Sequence, residues 1–204
     1  ETHDARRELP GWDGPGFDDA SWRGVVPVPF DPSILAAQRG EPVRAIEELQ
    51  PVAIITTPKG ETVVDFGQNF AGRVRLSARG ERGTEILVEH GEVLDPDGNF
   101  FIENLRMAKA ADRFVLAGTG EDEIFEPRFT FHGFRYARVR GYPGRLSPER
   151  VTGVVIHSDL RRTGDFTCSN GAVNRLYSSI VWGQKGNFLD VPTDCPQRDE
   201  RMGW

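Results

Sequence analysis

The stretch RVRLSAR, residues 73–79, decides how the fold is read. Val74, Leu76 and Ala78 fall on one side of an extended chain, and Arg73, Arg75, Ser77 and Arg79 on the other. Successive side chains of a strand point to opposite faces, so this is a strand with one apolar and one wet face. Similar stretches flank it. VAIITT (52–57), ETVVDF (61–66) and EILVEHGE (85–92) lie nearby, and Asp112–Leu116, Arg128–Phe131, Tyr136–Arg140 and Gly153–His157 follow. PKG, GQNFAG, RGERGT, DPDGN and AGTGED lie between them and read as turns. Short strands, one solvated face and Gly-rich turns predict a mainly β fold, an antiparallel β-sandwich over residues 35–160.

Two segments flank this region. Residues 1–34 are punctuated by Gly and Pro, yet they carry Trp12, Phe17, Trp22 and Phe30. Large apolar groups are costly to leave in water, so the segment is expected to dock onto a neighbour. It reads as the tail of a preceding accessory β-domain, or as an interdomain strap. The period changes at Ser169. Val173, Leu176, Tyr177, Ile180 and Val181 recur at helical spacing, with Ser169 or Asn170 as N-cap and Gly183 and Gly186 at the end. A single amphipathic helix after a β-domain predicts the opening of a helical domain, residues 161–204.

Composition narrows the partners. The net charge is −6, and the arginines are scattered through the strands rather than gathered in a block. Nucleic acid is therefore not an expected partner, because binding phosphates takes a concentrated basic surface. Nor is a membrane, since no stretch approaches the ~20 apolar residues of a span. The first residue is Glu and no signal segment is evident, so no localisation is read. Two cysteines, Cys168 and Cys195, read as thiols rather than as a disulfide framework.

The chemistry is concentrated in DVPTDCPQRDERMGW, residues 190–204, where Asp194, Asp199, Glu200, Arg198, Arg201 and Trp204 crowd together. Glycosidic cleavage uses two carboxyl groups, one of them kept protonated by burial or by like charge. Crowded acids provide for that tuning, guanidinium groups bind hydroxyls, and an indole stacks on a sugar face. A salt-bridge network closing a helix end is the competing reading of the same residues.

Other residues are weaker candidates. His90, His132 and His157 lack the spacing of metal ligands, and no metal site is expected. Phe129 and Phe131, on one face of a strand, read as sandwich core, and His132 as a packed or hydrogen-bonded residue at a strand bend. Gln68 and Asn69 in GQNFAG make a turn or reach across to the following domain. Asp95–Asn104 reads as a turn, with Glu103 and Asn104 facing that domain.

The terminal stretch resembles the signature at the start of the catalytic domain of bacterial α-L-rhamnosidases, glycoside hydrolase family 78. It is nearly identical to that family's DCPQRDERLGW, with Met202 in the Leu position. VDFGQNFAGRVRL, HGEVLDPDGNFFIENLRMAKAADRFVLAG and FEPRFTFHGFRYARVRGYPG resemble the preceding β-sandwich. DARRELPGWDGPGFDDASWR is similar to the end of the accessory β-domain.

The resemblance implies β-sandwiches followed by an (α/α)6 barrel, here only begun. It implies hydrolysis of terminal α-L-rhamnose with inversion and without a cofactor. It makes Glu200 the general acid, and Asp194, Arg198 and Trp204 sugar-binding residues. The family's general base lies further along the barrel, so these residues alone are expected to be inactive. A rhamnose-containing glycoside is the expected ligand, and a second copy, paired through the helix face, the expected self-partner. The alternative is a non-catalytic carbohydrate-binding or scaffold module. An exposed aromatic platform on the sandwich would favour binding.

Overall fold

The computed structural model describes residues 1–198 of the chain. The strands among them are β1 (Thr2–Asp4), β2 (Val43–Leu49), β3 (Ala53–Thr56), β4 (Thr62–Ala78), β5 (Glu85–Gly91), β6 (Val93–Leu94), β7 (Phe100–Phe101), β8 (Ala111–Val115), β9 (Glu123–Phe125), β10 (His132–Arg140), β11 (Val151–Ser158), β12 (Phe188–Leu189) and β13 (Val191–Pro192). One α-helix, α1 (Gly171–Gly186), lies between β11 and β12.

The mainly β reading holds, and the packed layers are one hydrogen-bonded sheet curled upon itself. Its order is β1-β8-β5-β10-β4-β11-β2, with β3 and β9 also pairing to β4. The described pairs are antiparallel except β1 with β8, which run parallel. Strand β4 is the spine. Its first half lies against β3 and β10, and its second half against β11 and β9. It changes neighbours at Gly72, which pairs with His132 of β10 and Val155 of β11.

Two segments expected as separate strands, 61–66 and 73–79, are therefore one strand of 17 residues. GQNFAG is not the predicted turn but a bulge within it. Phe134 pairs with Phe70 and Tyr136 with Asp65, so four residues of β4 oppose the single Arg135. Such insertions bend a strand without ending it.

The alternation read in RVRLSAR is observed. Val74, Leu76 and Ala78 are buried with Phe66, Phe70, Ile86, Phe114, Phe125, Phe134 and Val151. Phe66 stands edge-on to Phe70 and Phe134, which are tilted on each other, with centroids 4.5–5.8 Å apart. Such pairs contribute roughly 0.5–1.5 kcal/mol beyond their buried area. On the wet face arginines meet carboxylates across strands: Arg73 and Arg75 on Glu126, Arg138 on Glu61 and Glu89. Cross-strand pairs of this kind stabilise a sheet modestly.

The expected strand at Arg128–Phe131 is absent, and Phe129 is not core: it is 92 % exposed. Pro127 has no N–H to donate to a ladder, and Phe125 of β9 takes the core position instead. The backbone N–H groups of Arg128 and Phe129 donate to the Glu1 carboxylate at 3.1 and 2.8 Å. Phe131 is half-buried against a smaller cluster of Ala71, Val154, Ile156 and Leu189. In the N-terminal segment Trp12, Phe17 and Trp22 pack on one another, while Trp12 and Phe30 remain more than half exposed.

Asn170 is the N-cap of α1, its side-chain oxygen accepting from the N–H groups of Ala172 and Val173. The helix does not lay its expected apolar face on the sheet, for Leu176 and Ile180 stay 60 % and 58 % exposed. Contact is made instead by Trp182, which packs on the main core, and by buried Gly186, close to Ala71. Lys185 is paired with Glu47.

A buried polar cluster crosses the core. Asp112 Oδ2 accepts from His132 Nε2 at 3.1 Å and lies 3.7 Å from His90 Nε2. His90 Nδ1 donates to the Ala110 carbonyl at 3.1 Å. The imidazoles stack at 4.1 Å with planes only 22° apart. A metal ion would have to lie near both ring planes, and nearly parallel stacked rings do not allow it. The cluster is a hydrogen-bonded brace between β5, β8 and β10.

Two outcomes are expected from this packing. A Cβ at Gly72 would lie 2.1 Å from the Val154 carbonyl oxygen. Gly72→Ala should destabilise the fold by roughly 3 kcal/mol in urea titration, whereas Gly164→Ala, in open space, should change it by less than about 0.5 kcal/mol. Burial, then repulsion from His132, depresses the His90 pKa from 6.5 to about 3. Between those values the unfolded chain binds the proton and the folded chain does not. Stability therefore rises with pH across the window and is lost as acid is added. The urea midpoint should fall from pH 7 to pH 4, and His90→Gln should flatten that slope.

Candidate active site

A cleft of about 450 Å³ opens between the β4 bulge, α1 and the segment that follows β13. Gln68, Asn69 and Glu92 line its sheet side, and Ser179, Trp182 and Asn187 its helix side. Asp194, Cys195, Pro196 and Gln197 close the third side.

The bulge that supplies the first side is locked by one carboxylate. Asp65 accepts both N–H groups of the Arg135 guanidinium at 2.8 Å and the Gly67 N–H at 2.7 Å. Burial disfavours its charge, but the fork from Arg135 and the Gly67 N–H outweigh burial and hold its pKa below the usual carboxylate range. Gly67 sits at φ 74°, where a side chain is strained, and a Cβ there would also strike Val52. Locking Gly67 throws Gln68 and Asn69 outward. Asn69 Nδ2 donates to Glu92 Oε1 at 3.0 Å, and Asn104 Nδ2 to Glu92 Oε2 at 3.3 Å.

The helix side is held as firmly. Lys185 Nζ lies 4.2 Å above the Trp182 ring, fixing the indole. Asn187 Nδ2 donates to the Gly183 carbonyl, while its buried Oδ1 has no hydrogen-bond partner among the described residues.

The third side carries the sequence-predicted Asp194. β12 and β13 form a minimal hairpin around Asp190, at φ 72°. The Asp190 N–H donates to Ser158 Oγ, and the Thr193 N–H to the Asn187 carbonyl at 2.7 Å. The Gly133 N–H of β10 then donates to the Pro196 carbonyl at 3.0 Å. A Cβ at Gly133 would lie 2.8 Å from both Gln197 N and Pro196 Cγ, so only glycine permits this docking.

Asp194 is exposed on the cleft, and Arg198 is half-buried in the same segment. Glu200 and Trp204, the other two predicted site residues, lie outside the described residues. The cleft also gathers residues that sequence reading did not assign to it: Glu92, Trp182, Asn187 and Gly133. Gly133, set between aromatics in FTFHGFRY, was the one legible hint. Gln68 and Asn69 leave the sheet on a bulge rather than a turn and line the cleft that the following segment also lines, while their amides bond within the β-domain, Gln68 Nε2 to the Asn69 carbonyl and Asn69 Nδ2 to Glu92. The buried His90, Asp112 and His132 do not line the cleft.

Three family models match the chain. The bacterial α-L-rhamnosidase concanavalin-like domain covers residues 55–157, just over half of the chain. The six-hairpin glycosidase domain of the same enzymes covers 161–204, and the α-L-rhamnosidase N-terminal domain 1–47. An α-L-rhamnosidase of Streptomyces avermitilis is 50 % identical over the whole chain, which covers 20 % of that enzyme. The native α-L-rhamnosidase of Aspergillus terreus superposes with a TM-score of 0.94 at 43 % identity, over all of this chain and 24 % of that one. The Streptomyces avermitilis enzyme complexed with L-rhamnose superposes at 0.91 and 48 % identity, over all of this chain and 20 % of that one. The chain thus spans about a fifth of the curated relatives it matches. On these matches, and on a motif docked at a polar cleft, the chain belongs to the bacterial α-L-rhamnosidase family.

Proposed function

We propose that these residues are the part of an inverting α-L-rhamnosidase in which the catalytic barrel begins upon its β-domain. The observation that carries the reading is the docking of the DCPQR segment on Gly133, which sets Asp194 in a cleft large enough for a sugar. The domain reading is 1–34 as accessory tail or strap, 35–160 as sandwich and 161–204 as the opening of the (α/α)6 barrel.

Glu200 donates the proton to the leaving oxygen, and Asp194, Arg198 and Trp204 hold the rhamnose. The base that activates water stands across the sugar, ~6.5–9.5 Å from the donor in an inverting enzyme. By themselves the 204 residues supply the donor side of that pair and are expected not to turn over. The exposed Leu176 and Ile180 are the face on which further barrel helices pack; without them, a second copy takes that place.

An enzyme continued through the barrel should release rhamnose from an aryl α-L-rhamnoside. Glu200→Gln should lower kcat by about 10²–10⁴-fold, the usual contribution of a proton donor. Near wild-type turnover in that variant would remove Glu200 from the role. Gly133→Ala should displace the DCPQR segment and lower kcat/KM while leaving the thermal midpoint of the β-domain close to wild type.

A carbohydrate-binding role for the β-domain has one observation in its favour. Phe129, 92 % exposed, lines a second cleft of about 390 Å³ with Arg44, Arg73 and Arg128. Titrating the 204-residue chain with rhamnose while following NMR shifts tests it. Shifts that Phe129→Ala abolishes support binding, and none at millimolar sugar leaves the sandwich a scaffold.

A further inference from the structure

Carboxylates on the wet face of the sheet are matched by arginines: Glu61 and Glu89 by Arg138, Glu126 by Arg73 and Arg75, Asp65 by Arg135. Glu92 departs from that pattern. Among the described residues its partners are two neutral amides, Asn69 and Asn104, one on each oxygen. A carboxylate offers about four acceptor positions, so roughly two remain. Among the described residues no cation pairs with Glu92, and it is set in the cleft wall with Gln68, Asn69 and Trp182.

Amide donors fix a carboxylate in place without cancelling its charge or filling all its acceptor positions. The arrangement suits a ligand that brings hydrogen-bond donors and a ring face, and on the rhamnosidase reading the donors are hydroxyls. That is a neutral sugar: hydroxyls donate to Glu92, Gln68 and Asn69 supply amide donors and acceptors, and Trp182 covers an apolar face. Asp194, Cys195, Pro196 and Gln197 occupy the adjoining side of the same cleft.

We infer that Glu92, with Gln68 and Asn69, forms a subsite on the β-domain for the sugar that leaves when rhamnose is released. The inference rests on the rhamnosidase reading above. Glu92 and Gln68 are specificity-determining residues that touch the leaving group, and Asn104 is a positioning residue that orients Glu92. Binding energy taken from a remote hydroxyl acts only on substrates that carry one. The bulge locked by Asp65 is then the means by which a noncatalytic domain selects substrate.

The test uses the enzyme continued through its barrel and two substrates: a rhamnosyl disaccharide with a hexose leaving group, and an aryl α-L-rhamnoside whose leaving group carries no hydroxyls. Glu92→Gln should lower kcat/KM for the disaccharide about tenfold, the worth of one good hydrogen bond, chiefly through KM. It should leave the aryl rhamnoside within about twofold, and inhibition by free L-rhamnose unchanged. Gln68→Ala, on the exposed bulge, should act in the same direction and guards against a folding defect at Glu92. Asn104→Ala should raise the disaccharide KM less than Glu92→Gln does. Equal losses on both substrates, or none on the disaccharide, overturn the subsite while leaving the rhamnosidase reading standing. A wild-type enzyme that releases rhamnose from neither substrate overturns both.

Discussion

The fork between Asp65 and Arg135 is the constraint on which the rest of the structure depends. It lets β4 absorb three extra residues and continue, where a looser sequence would turn back. Asp65 is buried, and its charge is tolerated because Arg135 stands alone on β10 opposite the insertion and gives it both N–H groups. The third bond, from Gly67, sets the direction in which the insertion leaves the sheet. Because β4 continues, it can pair with β3 and β10 before the bulge and with β11 and β9 after it. The sheet curls, and its apolar faces close on Phe66, Phe70 and Phe134.

Glycine governs how the remaining chain is laid on this sheet. Gly72 and Gly153 leave room for the Phe70 ring and for neighbouring backbone. Gly186 brings the end of α1 against β4, and Gly133 brings the motif-bearing segment against β10. At Gly72 and Gly133 two backbones come closer than a Cβ would permit. The cleft is what remains between these approaches. Its polarity differs from that of the wet face because, among the described residues, Glu92 is met by amides rather than by guanidinium groups.

Much of this was legible in the sequence. Strict alternation in RVRLSAR and its neighbours announced a half-wet sheet, and the switch of period at Ser169 announced the helix and its cap. GQNFAG was misread because its composition is that of a turn, while its conformation is imposed by Arg135, 70 positions from Asp65. Phe129 was misread because local alternation made it core, whereas Pro127 and the contact with Glu1 hold it off the sheet. The brace of His90, Asp112 and His132 could not be read from spacing. Three adjacent strands bring the residues together, and no short motif records strand order.

The sequence by itself determined the strands, the helix, the family signature and the residue types that a sugar site needs. Those follow from local periodicity and from a contiguous motif, both carried by neighbouring residues. Only the tertiary structure decided that β4 is one strand, that α1 turns Trp182 rather than Leu176 to the sheet, and that Glu92 and Asn69 share a cleft with Asp194. These outcomes depend on which backbones approach across the fold and which buried charges find partners there. Such pairings join residues far apart in the chain, and a linear pattern carries no term for them.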